Sequence, residues 1–92
     1  MSAVKIEIGD REKDQIMFFF KIIKGDERNR ISFDDEPMDE RSAEDLSLLL
    51  QIKINKRGAV GVGELIQALN DEDINGVKSI LENDFDVYIR TT

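Results

Sequence analysis

Val4, Ile6 and Ile8 alternate with Lys5 and Glu7. This is the period-two pattern of a strand with one buried face, and it predicts a strand near 3–8 that ends at Gly9–Asp10. Residues 15–23, QIMFFFKII, fit two periods. Phe and Ile suit strands, and Gly25 and polar residues bound the run. Ile16, Phe19, Phe20 and Ile23 also stand at helical spacing, but such a helix would be apolar on nearly all sides and would need burial all round. We read the segment as a strand near 15–24, with Met17–Phe20 in the core. KGDERN is then a turn, and alternation of Ile31 and Phe33 predicts a strand near 30–34.

Ser42, three residues before Asp45 and an apolar run, is an N-cap signal, and the first-turn acid suits the helix dipole. A helix is predicted near 43–56 with Leu46, Leu49, Leu50 and Ile54 on one face, stopping at Gly58. Leu48, Leu50, Ile52 and Ile54 also alternate, so its tail could be extended. Val62, Leu65, Ile66 and Leu69 follow the i, i+3, i+4, i+7 rule of an amphipathic helix near 62–70. Asp71 reads as the cap of another helix near 72–83, whose buried face is Ile74, Val77, Ile80 and Leu81. Phe85, Val87 and Ile89 alternate with Asp86, Tyr88 and Arg90, predicting a strand near 85–91. The pattern as a whole is α+β: a small, mostly antiparallel sheet with two or three helices on one face.

At 92 residues, one domain over 1–92 is expected, burying roughly 60–65% of its extended surface. Apolar residues make up 40% and charged residues 36% of the chain, a globular composition. The chain lacks an apolar run of membrane-spanning length. MSAVKIEIGD lacks the basic and apolar regions of a secretory signal. Together with the absence of cysteine, this points to a cytoplasmic protein. Short acidic proteins of this kind are common among phage and mobile-element products.

The net charge is −7, and most of the excess lies in one stretch. Asp34, Asp35, Glu36, Asp39, Glu40, Glu44 and Asp45 face a single base there, Arg41. Phosphate backbones repel such a segment, so direct nucleic-acid binding is disfavoured. A partner protein with a basic surface would be attracted. The chain has no His and no Cys, so the common acid–base and thiol chemistries lack their residues. A carboxylate pair could still hydrolyse glycosides, but a chain this short leaves little room for the cleft. The chain is therefore read as non-catalytic, with no cofactor.

Two further motifs carry candidate chemistry. Residues 56–64, KRGAVGVGE, place Lys56 and Arg57 beside a glycine-spaced turn entering a helix, where an anion or phosphate could sit. Residues 71–82, DEDINGVKSILE, satisfy a calcium-loop pattern in which Asp71, Asp73, Asn75 and Glu82 would supply side-chain oxygens. Lys78, Asn70 and Asn83 occupy positions that such loops reserve for apolar residues, and a continuous helix capped by Asp71 explains the same residues.

KGDERNRISFDD (24–35) and KINKRGAVGVGE (53–64) resemble degenerate EF-hand loops. Ile31 and Val60 would be the pairing residues, and Ile16, Phe19, Phe20 and Ile23 the incoming-helix frame. Lys24, Arg28, Lys53 and Arg57 stand at ligand positions. The resemblance implies an all-α, calcium-silent scaffold for a target helix. The leading expectation is a non-enzymatic adaptor, inhibitor or immunity-type protein that docks a basic partner through Asp34–Asp45. The alternatives are the EF-hand-like protein, binding calcium weakly or a target helix, and a small anion-binding domain. Self-association is compatible with all three.

Overall fold

The structure is a computed structural model, and it describes residues 8–57 and 60–92. Among these residues are four helices, α1 (Asp10–Gly25), α2 (Ala43–Arg57), α3 (Val62–Asn70) and α4 (Ile74–Phe85), and three strands, β1 (Asn29–Phe33), β2 (Glu36–Pro37) and β3 (Val87–Thr91). The sheet order is β2-β1-β3 and both pairings are antiparallel. The α+β class is therefore as expected, with four helices rather than two or three and with two of the four predicted strands present among the described residues.

The extra helix is α1, which replaces the strand predicted over 15–24. Its buried residues are Ile16, Phe19, Phe20 and Ile23, so the helical spacing decides. The burial all round that such a helix was expected to need does not occur. Ile16, Phe19, Phe20 and Ile23 pack inward, while Phe18 and Ile22 face outward. Phe18 thus lies outside the core to which Met17–Phe20 was assigned. Asp10 and Glu12 in the first turn and Lys24 in the last complement the helix dipole. Of the strand predicted near 3–8, residues 3–7 lie outside the described residues; Ile8 is not in a strand and packs half-buried against the core.

α2 starts as the sequence indicates: Ser42 Oγ accepts the Asp45 N–H at 3.1 Å. Ala43, Leu46, Ser47, Leu50 and Ile54 form its buried face. α3 buries Val62, Leu65, Ala68 and Leu69. The cap of α4 is Asp73, not Asp71: its carboxylate accepts the Gly76 N–H at 3.0 Å. Asp71 is already committed to the end of α3, where its own N–H bonds Gln67 O. The helix consequently runs two residues later than predicted and takes in Phe85, leaving β3 to begin at Val87. Asp86 turns the chain between them in the left-handed conformation (φ 56°).

Residues 34–37 held one feature the pattern did not reveal. Phe33 pairs with Glu36, and Ser32 with Pro37, so Asp34 and Asp35 alone close a two-residue hairpin. Their φ values are 51° and 66°, the positive signs that a type I′ turn requires and that Asp tolerates better than most residues. Ile31, Phe33 and Val87 point from the sheet into the core, while Ser32 and Tyr88 pair on the opposite face. α1 packs against α2 and α3, and α4 against α3 and β3. Among the described residues, one cluster of eighteen buried apolar side chains joins all four helices to β1 and β3.

The sheet excludes the all-α alternative. α1 does supply the incoming-helix frame, but Ile31 pairs with Ile89 of β3 rather than with Val60. Lys53–Arg57 are helical, and Val60 is exposed. The second loop of an EF-hand pair therefore does not form.

Candidate interaction surfaces

The seven acids of Asp34–Asp45 do not act alike. Asp34 and Asp35 sit at the hairpin tip and Glu36 on β2; Glu40 lies in the connection to α2, and Glu44 and Asp45 in its first turn. All six are exposed. Asp34 Oδ1 accepts a hydrogen bond from Lys53 Nζ of α2 at 2.6 Å. This contact holds the Asp34 carboxyl below its ordinary range, with the Lys53 and Lys56 charges adding in the same direction. Lys53 is the more enclosed partner, so the ion pair ties the hairpin to α2.

Asp39 is half-buried and already in use. Met38 N–H donates to Ile31 O at 2.8 Å, continuing the β1–β2 ladder by one bond. The reciprocal donor, Ile31 N–H, instead meets Asp39 Oδ1 at 2.8 Å. The carboxylate thus takes the place of a strand carbonyl where the chain leaves the sheet. Lys24 Nζ caps the same corner by donating to the Asp39 backbone oxygen at 2.8 Å. Asp39 thus has a use within the fold, holding the chain at the corner where it leaves the sheet.

Next to the exposed acids lies apolar surface. Leu48 is 58% and Ile52 50% exposed on α2. With Glu44 they stand at i, i+4 and i+8, hence on one helix stripe. The hairpin and α2 therefore present carboxylates beside two uncovered aliphatic side chains. The charge was legible in the sequence. The apolar stripe was not, because LSLLLQIKI has enough apolar positions for either period.

A second surface is concave. A groove of about 630 Å³ runs between α1 and the α3–α4 junction. Phe18 and Ile22 wall it on α1, and Leu69, Ile74 and Val77 line its other side and floor. Phe18 is 61% and Ile22 42% exposed. Arg11, Asp14 and Gln15 continue the α1 wall, facing Asn70 and Glu72. Gln15 Nε2 donates to Asn70 Oδ1 at 2.9 Å, while Gln15 Oε1 is screened from solvent and has no hydrogen-bond partner among the described residues.

The remaining sequence candidates are dispersed or already engaged. Residues 74–82 of the calcium-loop pattern are helical. Asp71 accepts from Gln67 Nε2 and Asp73 caps α4, while Glu82 lies two turns along that helix. Among the described residues, no group of three or more acidic side chains is placed to hold a metal ion. In KRGAVGVGE, Gly58 and Ala59 lie outside the described residues. At the start of α3, a Cβ on Gly61 would lie 2.8 Å from Asp84 Oδ2. An internal carboxylate therefore already stands beside the helix end where an anion was considered. Asp26 accepts from Arg28 N, Nε and Nη2 within one turn. The guanidinium lowers the Asp26 carboxyl below its usual range; this is a local clasp at the exit from α1.

Comparison of the chain with known protein families, with curated proteins and with solved structures finds no match. The functional reading therefore rests on the two surfaces themselves.

Proposed function

We propose that the protein is a non-catalytic interaction module that engages a basic partner protein through the hairpin and α2. The observation that carries this reading is the stripe Glu44–Leu48–Ile52. Exposed carboxylates give steering and selectivity, and desolvation of clustered aliphatic side chains gives affinity. A purely solvated charged face would not place two exposed aliphatic residues one helical turn apart beside it. The chain's lack of His and Cys supports the non-catalytic part. The net charge of −7 supports a protein partner over a nucleic acid.

The test compares three immobilised proteins: the wild type, a charge-reversed variant (Glu36→Lys, Glu40→Lys, Glu44→Lys, Asp45→Lys) and an α2 variant (Leu48→Ser, Ile52→Ser). Asp34 and Asp39 are left intact because the fold uses them. A basic protein held by the wild type should be lost by both variants, and its retention should fall as salt rises. Partners held equally by all three proteins, or partners that are themselves acidic, would refute the reading.

A further inference from the structure

We infer that the groove between α1 and the α3–α4 junction is a second docking site, whose occupant is a basic amphipathic helix of a partner protein. It shares no lining residue with the hairpin–α2 face and goes beyond the reading given above.

The occupant follows from shape, polarity and charge. The α1 wall runs from Arg11 to Ile22, about 16 Å at 1.5 Å per residue, the length of roughly three helical turns. Small-molecule sites enclose most of their ligand, roughly 70–90% of its surface. A wall residue that is 61% exposed, such as Phe18, cannot provide such enclosure. An open trough with two protruding apolar residues one turn apart is the form that receives the apolar stripe of a helix.

The polarity changes along the trough. Phe18 and Ile22 belong to one end of the α1 wall, and Arg11, Asp14 and Gln15 to the other. Opposite that polar end lies Glu72, flanked in the α3–α4 connection by exposed Asp71 and Asp73. Four carboxylates thus outnumber the single guanidinium of Arg11, so the field at this end favours cationic side chains. The occupant is therefore a helix with large apolar residues at i, i+4 and i+7 and basic residues toward one end.

The test uses a displayed library of 16-residue helix-forming peptides, selected on the full chain and counter-selected on the Phe18→Ser/Ile22→Ser variant. Enriched peptides should carry apolar residues at helical spacing with Lys or Arg at one end, and should bind in about the micromolar range. Phe18→Ser/Ile22→Ser should weaken them about tenfold or more, as expected for anchors at the centre of an interface. Glu72→Lys should weaken them less, and less still at high salt. Leu48→Ser/Ile52→Ser should leave their binding within about twofold, so this site and the hairpin–α2 face can fail separately. Amide shifts on titration should map to residues 11–22 and 68–77. No enrichment over the counter-selected variant, winners without basic residues, or shifts confined to α2 would each overturn the assignment. So would saturation of the groove by the small apolar dye 8-anilinonaphthalene sulfonate with no peptide able to displace it.

Discussion

Asp39 offers the sharpest test of how this chain divides its acids between folding and binding. Its carboxylate accepts the Ile31 N–H at 2.8 Å, and Ile31 is buried in the central strand. Asp39→Ala removes the acceptor and leaves a strand donor unmatched, at a cost of about 1–3 kcal/mol. The site is half-buried, so water can replace part of the bond, which places the expectation near the middle, about 1–2 kcal/mol. Asp39→Asn keeps an oxygen in place and should cost less than about 1 kcal/mol, the difference between a charged and a neutral acceptor. For a small domain with a urea m-value of about 1 kcal/mol/M, the alanine variant should lose about 1–2 M in midpoint at unchanged m. Amide exchange at Ile31 should quicken in the same variant. A midpoint within about 0.3 M of wild type for Asp39→Ala would refute the carboxylate's structural role. So would an asparagine variant as unstable as the alanine one.

Asp35→Gly should stabilise the protein by about 0.5–1 kcal/mol, because glycine relieves the left-handed backbone at φ 66°; thermal or urea unfolding reads this directly. Asp73→Ala should cost about 1 kcal/mol through loss of the α4 cap, whereas Asp71→Ala should cost clearly less; equal losses would put the cap in the wrong place. The depressed Asp34 carboxyl contributes stability that is present above its unfolded value of about 3.9 and lost as pH falls through its lower folded value. Asp34→Asn should therefore cost a little at neutral pH, about 0.2–1 kcal/mol for so exposed a pair, and the difference from wild type should vanish in acid. Phe18→Ser should change stability by less than about 0.5 kcal/mol, as for surface substitutions in general, which separates it from its buried neighbour Phe19, where truncation should cost about 3–5 kcal/mol.

Much of this fold was written locally. The i, i+3, i+4, i+7 spacing of Val62, Leu65, Ile66 and Leu69 has one reading, and α3 occupies those residues. Ile31 and Phe33 alternate without a competing period, and β1 contains both. QIMFFFKII carries both periods at once, and its local preference for strand loses to tertiary packing: as a helix it buries Ile16, Phe19, Phe20 and Ile23 against α2 and α3. The groove was hidden by the same ambiguity. At 100° per residue, Phe18 falls opposite the buried stripe, but that becomes visible only once the helix is chosen. Asp39 could not be singled out from sequence at all. Its role depends on where the chain leaves the sheet, and in sequence it is one of seven neighbouring acids.

The distinction between employed and unemployed acids bears on how a partner would be held. Asp34, Asp39 and Asp73 each contact a cation or a backbone donor inside the chain. Glu44 and Asp45 favour the α2 dipole at its first turn. Glu36 and Glu40 have neither use among the described contacts, yet they stand within the same twelve-residue stretch as five other carboxylates. Like charges held this close repel one another and oppose the compact state. Such residues do not add to folding, and a basic partner would relieve their repulsion on binding. Glu36→Gln/Glu40→Gln should accordingly leave the protein as stable or slightly more stable at low salt, while weakening the proposed binding to a basic partner. The opposite result, lower stability with unchanged binding, would mean that these carboxylates serve the fold.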